Sequence, residues 1–190
     1  MTMTSTLLIV PGLRDHVAEH WQTHLAARLP NAHTVPPLDH DKLSCAARVA
    51  AVDAAFRALA GPVIIVAHSA GVMMVAHWAR QHGGRVKGAL LAAPADVESP
   101  FPEGYPTTNA LRRNGWLPIP RQPLPFPALV AASENDPLCA FDRAAGMARD
   151  WGASLVNVGR VGHLNPAAGF GPWPRAEELI RDLHEADRAD

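Results

Sequence analysis

The chain has 190 residues, 48% of them hydrophobic and 18% charged, with a formal net charge of −1. That length suits one domain over residues 1–190, and the composition excludes a disordered chain. Charges of the two signs are interspersed, so the basic footprint that a nucleic-acid partner needs is absent.

The opening stretch MTMTSTLLIVPG has no basic residue ahead of its apolar run, Leu7 to Val10. That run is too short for a signal peptide or a membrane span, and no later run reaches about 18 apolar residues. A cytoplasmic protein with no membrane partner is expected. Cys45 and Cys139 form no CxxC pair and read as free, half-buried thiols.

Short apolar runs alternate with longer amphipathic stretches, the pattern of βα units around a parallel sheet. The strand runs are Thr6–Val10, Ala32–Pro36, Pro62–Ala67, Val86–Ala93, Pro127–Ser133 and Ser154–Val158. PVIIVA and GALLAA are apolar on both faces, as central strands covered by helices must be. Helices are expected over His16–Leu29, Ser44–Ala60, Ala70–His82, Cys139–Trp151 and Pro174–Ala186. The first carries Ala18, Trp21, Leu25 and Leu29 at helical spacing, and the second carries Val49, Val52, Phe56 and Leu59 behind Ser44 as its N-cap. Pro174 suits the first turn of the last helix.

Residues 94–127 break this rhythm with nine of the chain's 18 prolines and little periodicity. A loop that long is functional, mobile, or a surface excursion packed on its own prolines. Between the fourth and fifth strands it overlies the carboxyl edge of the sheet, where such folds bind ligands, so Phe101, Tyr105 and Trp116 are candidate pocket residues.

The sharpest chemical signal is Val66-Ala67-His68-Ser69-Ala70-Gly71, directly after the most apolar strand and before a helix. A serine that attacks a carbonyl must project from a tight strand-to-helix turn, and the residues two before and two after it must be small. The usual pattern is GxSxG, and Ala67 replaces the first glycine. The plain alternative is a serine that only caps the helix.

A serine hydroxyl needs a base, and the base needs an acid that fixes its tautomer. In chain order the acid comes second and the base last. His163, in the loop after the last strand, is the candidate base; His77, His82 and His184 ride helices. AASENDP after the fifth strand offers Asp136 as the acid, with Glu134 as its rival and Asp142 and Asp150 on the following helix. His68 reads as structural, since adjacent side chains diverge at a strand end. An oxyanion needs backbone donors, assigned to Ala70 N–H, beside the positive helix terminus, and to Leu13 N–H after Pro11-Gly12. His16, His20 and His24 recur every four residues and could bind a metal, but a solvated helix flank is the expectation. No phosphate loop or dinucleotide fingerprint appears; neither a cofactor nor a metal is expected.

This set of motifs resembles the small serine hydrolases related to retinoblastoma-binding protein nine. IVPGL, HWQ (His20 to Gln22), AHSAG, LLAAPAD, ASENDP with the Phe141 region, and GHLNPAAGFGPWP (Gly162 to Pro174) carry the resemblance. It implies a minimal α/β-hydrolase without a cap domain, about six mostly parallel strands in the order 2-1-3-4-5-6, and helices on both faces. It also supports Ser69, Asp136 and His163 as nucleophile, acid and base. Two departures stand out: Ala67 at the elbow, and LRDHVAE after Pro11-Gly12 where the family is often glycine-rich. The reading is hydrolysis of a small ester or amide through an acyl-enzyme. The alternatives are acyl transfer by the same residues or a protein-binding module on a hydrolase scaffold, and a protein partner has no support in the sequence.

Overall fold

The computed structural model describes residues 5–185. Six strands form one sheet in the order β2-β1-β3-β4-β5-β6. They are β1 (Thr6–Val10), β2 (Ala32–Thr34), β3 (Val63–Ser69), β4 (Val86–Pro94), β5 (Ala128–Ala132) and β6 (Ser154–Asn157). All five pairings are parallel, so the carboxyl ends of every strand open onto one edge.

Strand alternation sorts the core into two layers. Leu8, Val10, Ile65, Ala67, Leu91 and Val130 face one side. There they meet α2 (Cys45–Arg57), α3 (Ala70–Ala79) and α5 (Phe141–Asp150). Leu7, Ile9, Ile64, Val66, Leu90 and Ala131 face the other, against α1 (Trp21–Arg28) and α6 (Arg175–Glu185). Ser44 caps α2, its hydroxyl accepting from Ala47 N–H at 3.2 Å. The architecture is the expected α/β one. Among the described residues no helix is long and apolar enough to cross a membrane.

Three expectations need correction. The first helix begins at Trp21, not His16, because Asp15 takes a left-handed φ of 55° and the His20 ring caps the helix by accepting from Gln22 N–H. The stretch read as a structureless loop contains α4 (Thr108–Arg113), capped by Thr107. That helix has six residues and buries only Leu111, too little to leave a period in the sequence. The thiols of Cys45 and Cys139 are free as expected, but they are buried at 3% and 4% exposure, not half-buried. The expected end of α6 at Ala186 lies outside the described residues.

Candidate active site

Ser69 closes β3 and opens α3 with φ 59° and ψ −127°, a backbone conformation that L-residues avoid. The fold holds it there through two close approaches. A Cβ on Gly12 would lie 3.2 Å from Ser69 Cβ, so the loop after β1 runs directly beside the serine. A Cβ on Gly71 would lie 2.6 Å from the Pro11 carbonyl oxygen and nearer still to that of Val10. Glycine at both positions lets the β1 loop, the elbow and the first turn of α3 meet.

Three side chains from three carboxyl-edge loops converge here. His163 Nε2 lies 2.8 Å from Ser69 Oγ, and its Nδ1 lies 2.9 and 2.8 Å from the two oxygens of Asp136. A carboxylate only accepts, so Nδ1 carries a proton toward Asp136 and Nε2 is free to accept from the serine. The Asp136 and His163 side chains are 2% and 5% exposed, which strengthens both contacts. Leu138 N–H donates to Asp136 Oδ1 at 2.8 Å and fixes the carboxylate. The rival Glu134 points elsewhere and accepts from Asn157 Nδ2 at 2.9 Å. Asp150 pairs with Arg121, while His77 Nε2–H donates to the Trp116 carbonyl at 3.2 Å, away from the serine.

The loop that bears His163 is tied from below. His68 is buried, and its Nε2–H donates to the His163 carbonyl at 2.8 Å. Complete burial pushes the His68 pKa well below the ordinary 6.5, and the nearby His163 and His20 rings add to this against the hydrogen bond. His20 packs edge-on to His68 at 4.5 Å between ring centroids. Burial, then His163 and His24, brings its pKa from 6.5 to about 4. Both rings are therefore neutral, and His68 is packed as a structural residue. The His16, His20 and His24 row is not a solvated flank: His16 precedes α1, His20 is buried, and His24 faces Glu19. No group of three metal-ligating side chains occurs among the described residues.

Two positioning residues escaped the sequence analysis. Buried Gln22 donates from its amide to Val10 O at 3.3 Å and Val66 O at 3.0 Å, lacing β1 to β3 just below the elbow. Buried Arg48 reaches from α2 to Asp15, to the Lys42 carbonyl at 2.8 Å and to the Leu13 carbonyl at 3.2 Å. It thereby anchors the loop expected to hold an oxyanion donor. A signal for it existed: Arg48 sits three residues after Cys45 and four before Val52, on the buried face of α2.

The serine opens into a cavity of about 600 Å³ whose wall includes Leu13, Val97, Phe101, Tyr105, Leu111 and Leu138. Phe101 and Tyr105 line it as expected. Trp116 does not; it is fully buried, and its indole donates to Leu43 O at 2.7 Å, pinning the proline-rich stretch to the core.

A family model described as serine hydrolase matches residues 7–182. The chain belongs to that serine hydrolase family. The hydrolase is 32% identical to a YdeN-like hydrolase from Pectobacterium atrosepticum, over 95% of this chain and 91% of the other, with a TM-score of 0.80. The ydeN gene product of B. subtilis shares its fold at 18% identity, over 95% and 98% of the two chains, with a TM-score of 0.74. Est1E from Butyrivibrio proteoclasticus, solved with ferulic acid bound, does so at 13% identity, over 97% and 88%, with a TM-score of 0.69. No curated protein sequence matched the chain. It is thus an enzyme of the serine hydrolase type on an α/β-hydrolase fold.

Proposed function

We propose that this hydrolase cleaves a small ester or amide through an acyl-enzyme on Ser69, with His163 as base and Asp136 as orienting acid. The observation that carries the reading is the continuous hydrogen-bond chain from Ser69 Oγ through both His163 nitrogens to Asp136, at 2.8 to 2.9 Å. As Oγ attacks the carbonyl carbon, its proton passes to His163 Nε2, and Asp136 stabilises the imidazolium. The same proton then goes to the leaving oxygen or nitrogen as its bond to carbon breaks. Water repeats the sequence on the acyl-enzyme, releasing the acid and restoring the serine.

The developing oxyanion is assigned to the N–H groups of Leu13 and Ala70. The proximity of Gly12 to Ser69 supports this, as does a Leu13 N–H without a hydrogen-bond partner among the described residues. The positive end of α3 adds to the donor at Ala70. The motif set from IVPGL to GFGPWP supports a place near the relatives of retinoblastoma-binding protein nine.

Fluorophosphonate labelling read by intact mass tests the assignment. One adduct is expected on the wild type, none on Ser69→Ala, and slower labelling on His163→Ala and Asp136→Asn. An adduct that persists on folded Ser69→Ala refutes it. Turnover with added alcohols or amines then shows whether water or another nucleophile takes the acyl group.

A further inference from the structure

The cavity wall has two charged side chains, Arg14 and Asp15, and they are not equivalent. Asp15 is paired with Arg48, whose side chain is only 5% exposed, so its charge is matched inside the protein. Arg14 has no carboxylate partner among the described residues. Its guanidinium instead lies over the Tyr105 ring, 5.3 Å from the centroid, and Tyr105 in turn packs edge-on against Phe101 at 6.0 Å. The remaining lining side chains are apolar groups, imidazoles, and uncharged hydroxyl and amide groups, with His20 and His68 held neutral. Arg14 is therefore the one permanently charged lining side chain whose charge is not matched by a carboxylate among the described residues.

Stacking fixes the face of a guanidinium and leaves its N–H edge free. That edge is the planar fork that receives a carboxylate in two parallel hydrogen bonds. Gly12 abuts Ser69, and two residues of chain span at most about 7 Å, so the main chain of Arg14 starts close to the serine and its side chain lines the same cavity. We infer that Arg14 selects substrates with an anionic group, a carboxylate in the first instance, on the part of the molecule that extends from the scissile carbonyl along this cavity. The inference rests on Ser69 as the nucleophile of this cavity.

Three p-nitrophenyl or phenyl esters test it. They are p-nitrophenyl butyrate, which is neutral; mono-p-nitrophenyl glutarate, with a carboxylate on the acyl side; and 4-carboxyphenyl butyrate, with a carboxylate on the leaving group. The wild type is expected to favour one of the two anionic esters over the neutral one by at least tenfold in kcat/KM, and added salt should erode that ratio. Arg14→Gln should bring the ratio near one, Arg14→Lys should restore part of it, and Arg14→Glu should invert it. The acyl-side and leaving-side arms identify which end the arginine reads. Should turnover be too slow to measure, protection of Ser69 from the fluorophosphonate by the same three esters reads the same ratio. A wild type indifferent to the charge, or a ratio unchanged in Arg14→Gln, overturns the inference while Ser69 still labels. Loss of labelling itself would instead sink the assignment of Ser69.

Discussion

Gly71→Ala sets two effects of opposite sign against each other. Gly71 lies in the first turn of α3, and replacing a helical glycine with alanine ordinarily stabilises by about 0.8–1 kcal/mol. Here the new methyl would fall 2.6 Å from Pro11 O and closer to Val10 O, against a comfortable carbon–oxygen approach of about 3.3 Å. Both obstacles are backbone, so α3 and the β1 loop must separate by about 0.7 Å or more. Overpacking of that kind costs about 1–3 kcal/mol, which outweighs the propensity gain. The loop that moves also carries Leu13 N–H, and a displacement near 1 Å costs up to about 100-fold in rate. The expected result is a urea midpoint below wild type together with a kcat lowered about 10- to 100-fold for every ester. The assays are equilibrium urea unfolding and steady-state turnover of p-nitrophenyl butyrate. A variant more stable than wild type with unchanged kcat would show that the elbow is not clamped against this loop.

Two further outcomes follow from the buried polar groups. His20 is 8% exposed with a folded pKa near 4, below its ordinary 6.5, so the unfolded chain binds the proton more readily. Stability is then complete above pH 6.5 and declines as pH falls toward 4, by about 2 kcal/mol between pH 7 and pH 5 from this residue alone. Urea titrations at both pH values should show His20→Asn losing about that much of the pH dependence; an unchanged slope counts against the burial of a neutral ring. Just after β4, Asp96 is 1% exposed and accepts at both oxygens from Arg143 of α5, at 2.8 and 2.9 Å. Burial alone would raise the Asp96 pKa, yet its hydrogen bonds to Arg143 and Ser99 hold it below the ordinary value. Arg143 is itself 41% exposed and Ser99 still bonds the carboxylate, so Arg143→Met should cost about 2 kcal/mol, not the full penalty of an orphaned charge. That corresponds to a Tm lower by roughly 4–8 °C in a calorimetric scan, and a shift under 1 °C would refute it.

The sheet was legible because its signal is local. A run such as PVIIVA has no polar residue to place on a solvent face, so it reads as a central strand wherever it lies. The elbow was legible for the same reason: small residues around Ser69 are a steric requirement written within six positions. The residues that escaped notice share a different property. Arg48 and Gln22 are polar groups in buried positions, and their roles depend on carbonyls and a carboxylate distant in sequence. Nothing at position 48 announces the Leu13 carbonyl 35 residues earlier. The choice between Asp136 and Glu134 sits between these cases. Both lie in the right loop, and their different targets emerge only once β6 supplies Asn157 to one and the last loop supplies His163 to the other.

The segment from Gly12 to Gln22 separates rate from selectivity in a small space. Its main chain is fixed on the inner side by Ser69, by the first turn of α3, and by Arg48 on the Leu13 carbonyl. Gln22 locks its far end to β1 and β3. Those contacts brace the backbone that faces the serine. The side chains of Arg14 and His16 are exposed and line the cavity that the serine shares. Substitutions under the backbone, at Gly71 or Arg48, should therefore scale turnover of all esters alike. Substitutions at Arg14 should instead reorder the esters. A uniform effect lowers kcat/KM by the same factor for each substrate, whereas a selective one changes the ratio between substrates, so the two are separable in a single kinetic comparison. The glycine-poor LRDHVAE sequence is compatible with the proposed oxyanion role of this loop, because Arg48 bonds the Leu13 carbonyl and pairs with Asp15.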